Sequence, residues 1–443
     1  MNTGDTAWVL TSAALVLLMT PGLAFFYGGM VRTKSVLNML MMSFSSLAII
    51  TVLWLLYGYS EAFGDDVGSG LVGDPFQFFG LKGLIGSGTE HLVLTVPALA
   101  FVAFQLVFAI ITVALISGAI ADRAKFTTWC IFTVIWATIV YFPVAHWVFA
   151  FDGTTAGEDS LGGWIANKLA AIDFAGGTAV HINAGAAGLA LALVIGKRVG
   201  WPKEPMRPHN LPLVMLGAGL LWFGWFGFNA GSAIGANNTA AVVWVNTVGA
   251  TAAACIGWLV TEKLRDGHAT SLGAASGIVA GLVAITPACS SVNPVGALIL
   301  GVLAGIICAL AVGLKYRFGY DDSLDVVGVH LVGGLFGTIA IGFLATADAP
   351  AGVDGLFWGG GVDQLWRQCV GAFAVLAYSF ILTYVIGLAL HKTIGFRITE
   401  EEEVDGIDYV EHAETGYDLV TSGGGSSSFR PTQTVKTDEE VSA

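Results

Sequence analysis

Long apolar blocks alternate with short polar connections along most of the chain. They lie near 6–30, 35–60, 92–121, 126–150, 174–196, 210–233, 238–261, 269–288, 294–314, 326–346 and 366–391. A spanning helix needs roughly 20 mainly apolar residues. The pattern therefore predicts an all-α polytopic membrane protein with eleven transmembrane helices; merging or splitting one pair gives ten or twelve. The opening MNTGDTAW lacks the basic start of a secretory signal, so the first block is expected to be a retained helix. Residues 1–392 form the membrane domain of this reading. Residues 393–443 form an acidic tail that turns Ser/Gly-rich and is expected to be disordered after about 418.

Basic residues orient the spans. If the odd-to-even connections face the cytoplasm, 16 Lys and Arg lie inside and 3 (Lys82, Lys168 and Arg367) outside. This satisfies the positive-inside rule loop after loop. The N-terminus is then outside and the C-terminus inside, in a cytoplasmic membrane. The outer connections are acidic, which raises the local cation concentration and favours cationic cargo. Only 12% of residues are charged, against about 25% in soluble domains. The five cysteines are scattered without a CxxC pair, so neither a metal site nor a disulfide framework is indicated. No cofactor and no nucleic-acid partner are expected.

Ionisable residues at membrane depth are costly and mark functional positions. No Lys, Arg or Glu falls mid-span, but His181 and His330 do. Asp173 precedes the first and Asp325 the second, and small residues follow both: GAAG at 185–188 and GGLFG at 333–337. The fifth and tenth spans run in opposite directions, five helices apart. That placement predicts an inverted repeat, with halves near 6–196 and 210–346 and the eleventh helix (366–391) outside it. Such repeats put their site near the midplane, between the halves. At about 1.5 Å per residue, each histidine sits about 8–12 Å into its helix, so the two can meet. Asp173 and Asp325 read as helix caps. His146, in FPVAHW, has no twin and reads as structural. Phe104, Phe108, Phe149, Trp225 and Phe228 lie in the outer halves of their spans. There they either pack or attract a small cation through their ring faces, with Ser232 as an acceptor.

At these residues the chain resembles the Amt/Mep/Rh family of ammonium transporters, in its bacterial Amt style. The resemblance is carried by FQLVFAIITVALISGAIADR (104–123), DFAGGTAVHINAG (173–185), GWFGFNAGS (224–232), ATAAACIGW (250–258), GLVAITPAC (281–289) and DVVGVHLVGG (325–334). It implies one pore per subunit, a homotrimer, and passage of ammonium or ammonia, with methylammonium as analogue. His181 and His330 match the family's twin pore histidines, with Trp225 a further pore-lining aromatic. Phe108 and Phe228 match its phenylalanine gate. Ser232, Phe104, Phe108 and Phe149 match its external recruitment site, and Asp173 its structural acid. Phe149 departs from the Trp of many members and is a poorer cation–π partner. The segment 395–417 resembles the family's cytoplasmic tail, which implies a PII-type signal protein as partner. It is expected to order against loops carrying Lys197, Arg198, Lys203, Arg207, Lys263, Arg265, Lys315 and Arg317. A sensor on the same scaffold would usually append a signalling domain, for which this tail is short. A haem-binding redox protein and a pore for another solute are the remaining rivals.

Overall fold

The computed structural model describes residues 1–86, 92–155 and 160–417; the expected disorder after about 418 falls outside them. Its frame is α1 (Thr3–Met30), α2 (Thr33–Phe63), α3 (Ala98–Ile120), α4 (Phe126–Phe149), α5 (Gly177–Ile195), α6 (Leu211–Gly231), α7 (Asn238–Asp266), α8 (Ser271–Ile285), α9 (Pro294–Phe318), α10 (Val327–Leu344) and α11 (Asp363–Thr393). All but α8, ten in number among the described residues, are long and apolar enough to cross a membrane. The expected span 269–288 runs through Pro287, which disfavours helix at the residue before it. The helix accordingly stops at Ile285 after 15 residues, about 22 Å at 1.5 Å per residue. The span expected from 92 begins instead at Ala98, behind a short hairpin, Leu92–Val93 with Val96–Pro97.

Several helix starts follow local chemistry. Asn2, Asn210, Asn237, Thr270 and Asn293 each accept a backbone N–H from the first turn of α1, α6, α7, α8 and α9. Such caps satisfy N–H groups that have no partner inside the helix. Small residues then set how closely helices approach. Gly217 of α6 faces Phe26 of α1 so closely that a Cβ would strike its backbone. Helices α5 and α10 pack against each other, and α11 lies along both.

At the end of the bundle expected to face the cytoplasm, buried charges join four segments. Arg198, just past α5, holds Asp321 just before α10 at 2.8 Å and Asp122, just past α3, at 2.9 Å. Burial by itself raises the Asp122 pKa, yet Arg198 and then Arg32 outweigh it and leave the pKa below the ordinary value. Arg123, fully buried, donates to the carbonyls of Gly196 (2.9 Å) and Asp321 (2.6 Å) and to Ser323 (2.6 Å). Arg32 adds the tail through Glu403 at 3.0 Å.

The tail forms α12 (Glu400–Asp405) and α13 (Ile407–His412) and packs on the rest of the chain. Asp408 accepts the N–H groups of Leu37 (2.9 Å) and Asn38 (2.8 Å), and Glu411 that of Phe126 (3.0 Å). Tail carboxylates thus serve free N–H groups at the starts of α2 and α4. Glu403 also accepts from Val199 N at 2.9 Å. This corrects the expected docking partners in part: among the described contacts the tail meets the segments at 32–38, 123–132, 195–199 and 209–210, the third of which carries Lys197 and Arg198, and not Lys263, Arg265 or Arg317. The reason is burial: Glu403 and Asp408 are almost fully enclosed and need fixed donors rather than distant surface cations.

Burial decides which ion pair matters. Replacing Arg198 by Ala strands two buried carboxylates and should cost about 3–5 kcal/mol. Replacing Arg265, whose pair with Asp266 is 42% and 48% exposed, should cost less than about 1 kcal/mol. Thermal unfolding of the solubilised protein measures both, and equal losses would contradict the ranking.

Candidate functional site

Two equal constructions face each other. Asp173 precedes His181 by eight residues, and Asp322 precedes His330 by eight. Asp173 accepts the N–H groups of Gly176, Gly177, Thr178 and Ala179 at 2.8, 2.6, 2.7 and 3.2 Å, and the Thr178 hydroxyl as well. Asp322 accepts those of Val326 and Val327 at 3.1 and 2.7 Å. This corrects the expectation for Asp325. Its backbone is left-handed, with φ 65°, and its carboxylate turns to Lys315 Nζ at 2.7 Å. Asp322, one turn earlier, takes the cap. The equal spacing of eight was the available signal for Asp322, which the sequence reading passed over.

Each histidine sits on a wide π-helical turn, Gly177–Ile182 or Val327–Leu331, a form that recurs at functional positions. Four residues beyond each lies a glycine. A Cβ on Gly185 would strike the Leu331 backbone, and one on Gly334 would lie 3.1 Å from the His181 Cβ. These glycines let the two turns touch. The rings meet with Nδ1 atoms 3.3 Å apart and centroids 5.4 Å apart, inclined by 23°. Between neutral imidazoles such a contact needs one donor and one acceptor. The ring that donates keeps a lone pair on Nε2, and the ring that accepts keeps an Nε2–H. The pair therefore offers one acceptor and one donor. His181 Nε2 has no partner among the described residues.

The surrounding cavity is otherwise apolar, lined by Leu23, Ile111, Leu115, Leu221, Val279 and Phe228 among others. It leaves about 10 Å³ for the centres of water-sized molecules, close to the room one water needs. Trp225 stacks on His181 at 5.4 Å and 19°, held by its indole N–H on Thr286 Oγ1 at 2.8 Å. Thr286 is a further partner that the sequence reading did not single out.

On the far side of Trp225 the aromatics close up. Phe108 and Phe228 stack at 4.1 Å and 23°. Phe104 lies 4.9 Å from Phe108, and Phe149 stands edge-on to Phe108 at 6.5 Å. Ser232, one turn past Phe228, donates its hydroxyl to the Phe228 carbonyl at 2.9 Å, leaving its lone pairs free. It lines a pocket with Asp173, Phe174, Phe151 and Ser290, at the end of the bundle expected to face outside. Trp147 does not stand in for Phe149, because it packs on Trp164 and Tyr378 and donates to the Leu71 carbonyl. His146 lies apart, with Nδ1 at 3.0 Å from the Ala62 carbonyl and Nε2 at 3.6 Å from Asp66.

Comparison with known proteins gives a consistent answer. A family model described as Ammonium Transporter Family matches residues 7–417. The ammonium transporter of Mycobacterium tuberculosis (strain ATCC 25618 / H37Rv) is 65% identical over 440 residues, covering 95% of this chain and 91% of its own. That of Aquifex aeolicus is 48% identical, covering 95% and 94%. The crystal structure of Saccharomyces cerevisiae Mep2 superposes with TM-score 0.82 at 34% identity, over 90% of this chain and 88% of that one. A structure described as a sensor Amt protein gives 0.83 at 29% identity, over 92% and 98%.

The caps predict an order of damage. Asp322→Ala leaves two buried N–H groups unpaired at about 1–3 kcal/mol each, whereas Asp325→Ala removes only the Lys315 contact and should cost less. Asp173→Asn keeps one accepting oxygen and should lose less stability than Asp173→Ala. Denaturation of the four variants checks both orders; a more damaging Asp325→Ala would reverse the assignment of the cap.

Proposed function

The chain belongs to the ammonium transporter family, and we propose that it passes ammonium through a pore in which the cargo travels as ammonia past His181 and His330. The observation that carries this reading is the bonded histidine pair inside an otherwise apolar cavity. A bare charge at membrane depth is expensive, by several kcal/mol or more, and among the described residues no Asp, Glu, Lys or Arg lines that cavity. Neutral ammonia both donates and accepts hydrogen bonds, and the ring pair offers one of each. Potassium has no proton to give up and no directional donor, so the same passage excludes it. Relatives of this chain are transporters rather than enzymes, and no covalent step is assigned.

The outer route follows the chain of contacts. Ser232 accepts from an arriving ammonium ion, with the faces of Phe104, Phe108 and Phe149 beside it. Phe108 and Phe228, stacked and buried, act as the gate and part for passage. Ammonium gives its proton to water on the entry side before the apolar stretch, and ammonia takes one from water on the cytoplasmic side. Asp173 acts on the fold of this region rather than on the ion, since its two oxygens are already taken by five donors. The chain spans a cytoplasmic membrane with its N-terminus outside, following the basic loops, and assembles as a homotrimer, following the family resemblance. The inverted repeat is supported by the matched Asp–His–Gly spacings of α5 and α10.

The tail is the proposed regulatory platform. Its docking through Glu403 and Asp408 presents a folded surface beside the inner ends of α2, α4 and α5, where a PII-type protein would bind and close the pore.

Proteoliposomes given an ammonium jump, with potassium as control, test the transport reading. Wild type should alkalinise or carry current selectively with ammonium, and the double variant His181→Ala/His330→Ala should lose that selectivity while remaining folded. Wild-type rate and selectivity in the double variant would remove the histidines from the mechanism. Truncation after Tyr417 should leave transport and PII binding intact, and truncation after Lys392 should impair both. Equal effects of the two cuts would remove the boundary at 417.

A further inference from the structure

Helix α11 lies outside both expected halves, yet it holds the most fully engaged side-chain amide of the bundle. Gln368 is completely buried. Its Oε1 accepts the Ile172 N–H at 2.6 Å and the Gln364 side-chain N–H at 2.9 Å. Its Nε2 donates to the Ile172 carbonyl at 2.7 Å and to the Thr338 carbonyl at 3.1 Å. Both hydrogens and both lone pairs are therefore in use, which is the full capacity of an amide.

The partners are informative. Ile172 immediately precedes Asp173, the acid that holds the start of the His181 turn. Thr338 lies on α10, eight residues past His330. One side chain thus grips a backbone group from each histidine-bearing element. Eleven residues further along α11, about three turns, Ser379 Oγ donates to the carbonyl of Asn183, two residues past His181, at 2.8 Å. Among the described residues the two histidine turns share one side-chain hydrogen bond, the 3.3 Å Nδ1 contact, so keeping that separation calls for a further constraint. A third body bonded to both supplies that constraint.

We infer that Gln368 is a positioning residue that sets the register of the His181 turn against α10. It touches no cargo and acts through Ile172 and Thr338. The inference rests on the transport reading, because its effect is read as transport. A displacement of about 1 Å at a working site can cost about a hundredfold in rate, so a loss larger than any change in folding is the expected signature. Gln364→Met, which removes one bond to Gln368 but leaves its grip on both elements, should behave nearly as wild type.

The experiment uses the full chain in proteoliposomes. Gln368→Asn is one methylene too short to span both carbonyls, and Gln368→Met fills the space without bonds. Both should lower the maximal ammonium rate at least tenfold, with the half-saturation concentration within twofold of wild type, because Ser232 and the outer aromatics are untouched. Thr383→Val on the same helix, which removes the acceptor of the 2.8 Å bond from Trp136 of α4, is the control for stability alone. It should lower the thermal midpoint without that rate loss. If either Gln368 variant transports like wild type, or if Thr383→Val loses rate in proportion to its midpoint, the positioning role is overturned. Hydrogen exchange on wild type tests the grip without any substitution: the Ile172 amide should be as protected as the core of α5, and loop-like exchange there would also overturn it. A wild type without ammonium transport would sink the transport reading instead, and the exchange result would still decide whether Gln368 holds Ile172.

Discussion

A helix that starts inside a protein, away from water, exposes N–H groups that its own backbone does not satisfy. This chain meets that constraint with buried carboxylates, and the rest of the site depends on them. Asp173 takes four N–H groups at the start of α5, and Asp322 takes two at the start of α10. Each carboxylate fixes where its helix begins, and so fixes the height of the histidine eight residues on. Because the two helices run in opposite directions, their starts lie at opposite ends while their histidines meet between them.

The other ends of these helices are tied in turn. Arg198 follows α5 directly and holds Asp321, the neighbour of the Asp322 cap. The end of one histidine helix is therefore bonded to the start of the other. Arg123 adds bonds to Gly196 and Asp321, and Arg32 brings in Glu403 of the tail. In a low-dielectric setting such a network is costly to break, because removing one partner strands the others. The tail is thereby connected, through neighbouring charges, to the two elements that carry His181 and His330. That continuity gives the proposed regulation a physical route.

The aromatic column follows from the same frame. Trp225 is held by Thr286 and lies flat on His181, and Phe228 continues the stack to Phe108. The rings of Phe108 and Phe228 at its end are buried. Rings interact through broad, weakly directional contacts, and Phe108 and Phe228 have no hydrogen bond of their side chains to break, whereas Trp225 is tied to Thr286. The histidines below are fixed at both ends.

Hydropathy and charge alone disclosed much of this. The apolar blocks marked the spans, whereas the Asn and Thr caps at several helix starts emerged only in the folded chain. The two lone histidines in a charge-free core marked a candidate site, because ionisable groups at that depth have few other reasons to persist. Other points required the folded chain. Pro287 cut α8 short of the expected span, since a local backbone restriction overrode an apolar run. Asp322 rather than Asp325 became the cap, because only its carboxylate reaches the N–H groups of Val326 and Val327 while Asp325 is turned toward Lys315. Gln368 was invisible in the sequence, since a single polar residue in an apolar helix gives no hint of what it will face. Periodicity and composition are properties of neighbours along the chain, so they determined the spans and the chemistry available. Which carboxylate finds which N–H, and which amide bridges two helices, is decided by distances between segments far apart in sequence, and only the tertiary structure sets those.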